Sequence, residues 1–150
     1  MTAQYESADL LLKLYELRRE AALRDARVWF VERFHPDTAQ QVFDTWMGKE
    51  SAAYRMVTTY WNMAAALVNH GAIDAQMFAD LNTEHVAVYA KLQPFLADLR
   101  VMSGNPGYLR HLERVIERTP DAQARVERMH KYLRLKRAQF QKPRRRGKAR

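Results

Sequence analysis

The chain has 150 residues, 47% of them hydrophobic, and no cysteine, so it is long enough to bury one core and carries no disulfide, thiolate zinc site or cysteine nucleophile. Its start, Met1-Thr-Ala-Gln-Tyr-Glu, lacks the basic residues and apolar stretch of a secretory signal, and no run reaches the roughly 18 apolar residues of a membrane span. The net charge of +8 is uneven: residues 121–150 hold twelve Lys and Arg against two acids, and residues 1–120 hold thirteen against fifteen. The expectation is a single cytoplasmic all-α domain over residues 1–141, a bundle of about six helices, followed by a basic, flexible tail at 142–150.

From Ser7, the apolar positions Leu10, Leu14, Leu17, Ala21, Val28 and Val31 recur at three- and four-residue steps and predict one long helix that stops near Pro36. Asp37 with Gln40 three residues on has the form of an N-terminal capping box for a short helix ending near Met47. Gly48 is placed to close that helix in a left-handed conformation, and Ser51 to open the next. Between Met56 and Val68 the only polar side chains are Thr58, Thr59 and Asn62, which predicts a central helix with apolar groups over most of its circumference.

After the turn at residues 70–74, Phe78, Leu81, His85, Val88, Leu92, Phe95 and Leu99 form one seam of three- and four-residue steps. Asn82 and Thr83 can interrupt the helix, and Pro94 should kink or restart it because its ring removes a backbone donor. The seams of the first helix and of Phe78 to Leu99 can close within one chain or between two copies, leaving a homo-oligomer open. Ser103 to Gly107 is the densest turn signal and precedes a helix over 108–118. Pro120 is then expected in the first turn of a last helix reaching Phe140, whose positions Ala122, Val126, Met129, Leu133 and Phe140 share a face.

The apolar helix before His70-Gly71-Ala72-Ile73-Asp74, the segment Met77 to Leu81, and the stretch from Tyr89 through Leu92, Pro94 and Phe95 to Leu99 and Arg100 carry a family resemblance. Over Tyr60 to Arg100 the chain resembles an uncharacterised bacterial all-helical family known only as a domain of unknown function. These are turn, cap and packing residues, so the resemblance implies a fold and no activity. Members often carry membrane helices ahead of this block; this chain has none, and neither membrane tethering nor any functional residue is carried over.

Histidines 35, 70, 85, 111 and 130 fall in different predicted elements, whereas a metal site needs ligands converging on one ion. His85 sits in the apolar seam beside Glu84, but neighbouring helical residues diverge by about 100°, so the pair is not aligned as an acid–base couple. A core histidine bonded to a backbone carbonyl is the expectation there. Glu16 with Glu20 and Glu113 with Glu117 are carboxylate pairs one turn apart, and their arginine neighbours mark solvated, ion-paired faces. The aromatics Trp29, Phe30, Phe34, Phe43, Trp46, Tyr54, Tyr60 and Trp61 are read as core at helical spacing. No catalytic residue, cofactor or metal ligand is assigned, and a binding module is favoured over an enzyme.

The basic end remains. A clustered positive field attracts phosphates and releases their counterions in a salt-sensitive, sequence-independent contact. The residues expected to make it are Arg134, Lys136, Arg137, Lys142, Arg144, Arg145, Arg146, Lys148 and Arg150, with Tyr132 and Phe140 available to stack on bases. The sequence therefore reads as a helical interaction module whose C-terminal arm docks non-specifically on nucleic acid. Two alternatives stay open: an adaptor for an anionic membrane or acidic protein, with Met129, Leu133 and Phe140 in the headgroup layer, and a small-molecule or metal binder around His85.

Overall fold

The computed structural model describes residues 3–143. Among them it is all-helical: α1 Ala3–Arg18, α2 Ala21–Glu32, α3 Ala39–Met47, α4 Ser51–Asn69, α5 Ala75–Leu81, α6 Glu84–Leu92, a 3-10 turn Gln93–Phe95, α7 Leu96–Met102, α8 Arg110–Arg118 and α9 Ala122–Gln141. Nine α-helices replace the six expected, because the two longest predicted stretches are subdivided.

The first stretch breaks without glycine or proline. The amides of Arg19 and Glu20 bond back to the carbonyls of Glu16 and Leu17 at 3.1 and 3.2 Å, tightening the end of α1 into a three-residue turn. The Glu20 carboxylate then accepts from the amides of Ala22 and Leu23 at 3.1 and 3.0 Å, capping α2. On α1, Leu11 and Leu14 are buried while Tyr5, Leu12 and Tyr15 face out. The cap of α3 is shifted by one residue from the expected box: Thr38 Oγ1 accepts from the Gln41 amide at 3.1 Å, and Gln41 Oε1 accepts from the Asp37 amide at 2.7 Å. Gly48 is not left-handed, with φ at −98°. It is required for a different reason, since a Cβ there would lie 2.7 Å from the Asp44 carbonyl oxygen. Ser51 is the first residue of α4, and its Oγ accepts from Arg55 Nε at 3.2 Å rather than capping the backbone.

The turn before α5 uses Gly71 at φ +79°, and the Asp74 carboxylate caps α5 through the Met77 amide at 2.8 Å. Phe78, His85, Val88, Leu92 and Leu99 of the predicted seam are buried and Leu81 is exposed, so the register outlasts the break at Asn82 and the 3-10 turn at Pro94. α6 is the most enclosed helix, with every residue from His85 to Leu92 buried. It packs against α4, α8 and α9, which explains why apolar residues occupy nearly all of its circumference. α4 is central in the other sense, touching α2, α3, α5, α6 and α8.

The aromatics are core, as expected. Phe30, Tyr54 and Trp61 are fully buried, the Trp46 and Tyr108 rings stack at 4.5 Å, and the Tyr54 and Tyr108 hydroxyls share a hydrogen bond at 2.6 Å. α8 begins after Leu109, a left-handed residue at φ +56° without a side-chain cap. α4 supplies the missing partners: Asn62 Oδ1 accepts from the Leu112 amide at 3.1 Å, and Asn69 Nδ2 donates to the His111 carbonyl at 3.0 Å. α9 starts only after left-handed Asp121, so Pro120 precedes the helix instead of occupying its first turn. No helix among the described residues is long and apolar enough to cross a membrane.

Candidate functional site

α9 carries six Lys and Arg against one acid, Glu127, and its two faces have different tasks. Val126 and Leu133 are buried and Met129 is partly buried against the core, so most of the apolar face considered for a membrane is enclosed by the protein. Only Phe140 of that set is exposed, with its ring 5.7 Å from the His35 ring. Arg128, Lys131 and Arg134 lie on the exposed side, with no acidic partner among the described residues.

The expected contact residues are not equivalent. Arg134 and Lys142 are exposed and free of ion pairs within the described residues. Arg137 is held by Asp37 in a two-point pair at 2.7 and 3.0 Å, which keeps the Asp37 carboxyl below its ordinary range and raises the guanidinium. Lys136 reaches Glu32 at 3.4 Å. Two cations of the arm therefore bind the body, one at the end of α2 and one just beyond it. Arg144, Arg145, Arg146, Lys148 and Arg150, with the expected flexible tail, lie outside the described residues. Arg128 and Lys131 were absent from the expected contact set, although their three-residue spacing with Arg134 was visible in the sequence.

A second cationic group lies where α9 crosses α6. His35, Lys91, His130, Arg134 and Arg137 line a shallow, open recess of about 190 Å³ together with Pro36, Pro94, Phe95 and Leu133. Lys91 is buried, and its ammonium donates to the carbonyls of Phe30, Val31 and Phe34. It thereby satisfies acceptors that the end of α2 leaves open. Burial, then Arg137, pushes Lys91 down to about 7. Sequence reasoning passed over this residue. The signal was a lone cation inside the apolar stretch from Val86 to Leu92.

His85 is buried between the rings of Phe78 and Trp61, at 4.8 and 5.7 Å. The carbonyl partner expected for it is not found, and Nδ1 has no hydrogen-bond partner among the described residues. Glu84 does diverge from it: Arg27 Nε and Nη2 donate to the Glu84 carboxylate at 2.8 and 2.7 Å, and Trp61 Nε1 donates to it at 3.0 Å. That carboxylate is a structural anchor joining α2, α4 and α6, and the pairing raises Arg27. The remaining histidines are partly brought together, with the His70 and His111 rings 5.6 Å apart. No group of three or more His, Asp or Glu among the described residues is arranged to hold a metal ion.

The carboxylate pairs divide as well. Glu20 caps α2, whereas Glu113 accepts from Arg100 of α7 at 3.2 Å and from Arg110 at 2.9 Å, tying α7 to α8 instead of facing solvent alone.

A family profile matches residues 4–119, well over half of the chain, from the start of α1 to the residue after α8. The chain belongs to DUF4760, a domain of unknown function. The resemblance read over Tyr60 to Arg100 thus extends across the whole α1 to α8 body. The DUF4760 match ends at Thr119, so α9 and the basic C-terminus lie beyond it, and the recess combines residues of the family body with residues of α9. No curated protein and no solved structure matches the chain significantly.

Proposed function

We propose that the protein is an interaction module whose α1 to α8 body presents α9 and the following basic residues to nucleic acid, bound without sequence preference. The observation that carries this reading is the outward face of α9, where Arg128, Lys131 and Arg134 stand exposed and unpaired among the described residues. With a rise of about 1.5 Å per residue, the cations from Arg128 to Lys142 extend over about 21 Å, long enough to meet several phosphates. Tyr132 and Phe140 are exposed on the same helix and supply two stacking faces.

The test is binding of the full-length chain, of a 1–141 truncation and of an Arg128→Gln, Lys131→Gln, Arg134→Gln variant to mixed duplex and single-stranded probes over a range of salt. Each phosphate contact removed lowers the slope of log affinity against log salt by about 0.9 on duplex and about 0.7 on single strands. The triple variant is expected to lose most of the binding left after truncation. Absence of binding at low salt would overturn the reading. The anionic-membrane alternative draws support from exposed Leu135 and Phe140 beside Lys136 and Lys142, and preference for anionic over neutral vesicles with no nucleic-acid affinity would favour it.

A further inference from the structure

We propose that the recess between α6, α9 and the connection from α2 to α3 binds a single oxyanion group, inorganic phosphate or a phosphomonoester, held by Arg134 and Arg137 with His35 as a proton-dependent donor. The inference does not rest on nucleic-acid binding by the outer face of α9, since the recess shares only Arg134 with that face and draws its other lining residues from the inner side of α9, from α6 and from the connection after α2.

Five side chains able to carry positive charge line the recess, and no carboxylate is among the lining residues. At about 190 Å³ it falls below the roughly 300 Å³ at which pockets begin to enclose drug-sized molecules, so it seats one tetrahedral group, and the rest of any larger ligand would project into solvent. Arg134 has no acidic partner among the described residues, and Arg137 commits only two of its guanidinium N–H groups to Asp37. Lys91 gives its ammonium protons to three carbonyls. It is not a direct donor, and because burial holds it at about 7 its charge beneath the site grows as the pH falls.

His35 and Lys91 set the pH dependence. His35 Nε2 lies 2.8 Å from the Glu32 carbonyl and His130 Nε2 lies 2.8 Å from the Ala90 carbonyl. A carbonyl only accepts, so in each ring Nε2 carries the proton and Nδ1 is a bare lone pair while the ring is neutral. A lone pair repels an anion, and protonation turns it into a donor, so oxyanion binding is coupled to proton uptake. The other charged groups facing the site are Glu32 from α2, Asp37 from the connection, Lys91 from α6, and Arg134, Lys136 and Arg137 from α9; Glu32 and Asp37 are tied to Lys136 and Arg137. Burial, followed by Lys91 and Arg137, lowers His35 against the opposing hydrogen bond to the Glu32 carbonyl. An anion offsets the two charge contributions.

The experiment follows the imidazole resonances of the full-length protein by NMR during titration with sulfate, whose charge is constant across the range, at about pH 7.5 and about pH 5.5, and with inorganic phosphate between them, all at fixed ionic strength. The expected result is saturable movement of His35 and His130 with a sulfate midpoint several-fold lower at the acid pH, while His85 stays still. Arg134→Gln raises the midpoint by roughly tenfold or more, the scale of a lost charged hydrogen bond. His35→Gln, which keeps a donor for the Glu32 carbonyl, weakens the pH dependence. Linear, unsaturated shifts, or an unchanged midpoint in Arg134→Gln, would overturn the proposal even if the protein binds nucleic acid.

Discussion

Acid instability concentrated at His85 is a direct consequence of its surroundings. The ring is 2% exposed, lies between Trp61 and Phe78, and has an Nδ1 without a partner, so the charged form has neither water nor an anion beside it. Burial, then Arg125, pushes His85 down from 6.5 to about 4. Between those values the unfolded chain takes up a proton that the folded chain refuses. Stability is therefore unaffected by this residue above about pH 6.5, falls as the pH drops, and levels off near pH 4. At about 1.36 kcal/mol per pH unit the loss amounts to about 3 kcal/mol, a large share of the 5–15 kcal/mol that holds a typical domain together. His85→Leu removes the titrating group, and because Nδ1 is unpaired it strands no partner. Its effect at neutral pH is expected to stay within about 1.5 kcal/mol, the range of volume-conserving core changes. Urea unfolding of both proteins followed by tryptophan fluorescence, from pH 7 to pH 4, should show the variant gaining about 3 kcal/mol relative to the parent. The depressed Glu20 and Asp37 carboxyls are common to both chains and cancel. Parallel profiles down to pH 4 would refute the reasoning.

Removing Arg27 leaves the Glu84 carboxylate, whose side chain is 18% exposed, with only Trp61 Nε1 as donor, and Arg27→Met is expected to cost about 2 kcal/mol, less than a fully buried broken pair because both groups keep some water. Arg27→Met combined with Glu84→Gln should cost less than the single change in urea unfolding, since Gln still accepts from Trp61 without a stranded charge; equal or greater loss in the double variant would contradict the pairing. Gly48→Ala places a methyl against the Asp44 carbonyl oxygen at 2.7 Å and is expected to lower stability by about 1–3 kcal/mol by the same measurement, whereas a neutral outcome would mean that the end of α3 relaxes freely.

Features set by neighbouring residues were legible in the sequence. Gly71 and Gly104 stand at positive φ in the two turns marked for them, Pro94 sits in a 3-10 turn where a kink was expected, and the seam from Phe78 to Leu99 kept its register through two interruptions. The misreadings arose where a side chain answers a backbone group that periodicity cannot reveal. Glu20 looked like one member of a surface carboxylate pair and is the cap that divides α1 from α2. Asn62 looked like a polar interruption of an apolar helix; it and Asn69 are partners for α8, 50 and 42 residues away in sequence. Lys91 answers carbonyls of and just beyond α2 about 60 residues upstream. The basic arm was legible as charge, but its division into free and engaged cations was not, because the acids that hold Lys136 and Arg137 lie 104 and 100 residues earlier.

That division decides how the two proposals can be told apart. Lys136 and Arg137 clamp α9 to the α2 end of the body, and Val126 with Leu133 seats its inner face, so the helix is held in place before any partner arrives. Under the nucleic-acid proposal its outer cations act additively through counterion release, each removable with a similar loss of salt dependence. In the proposed oxyanion site the cations act cooperatively, since Arg134, Arg137 and His35 meet one group, and loss of any member weakens the rest. Arg134 is common to both sites. A pH-dependent, saturable response to sulfate that vanishes in Arg134→Gln but survives Arg128→Gln and Lys131→Gln therefore belongs to the recess, whereas a salt slope lowered equally by all three substitutions belongs to the outer face.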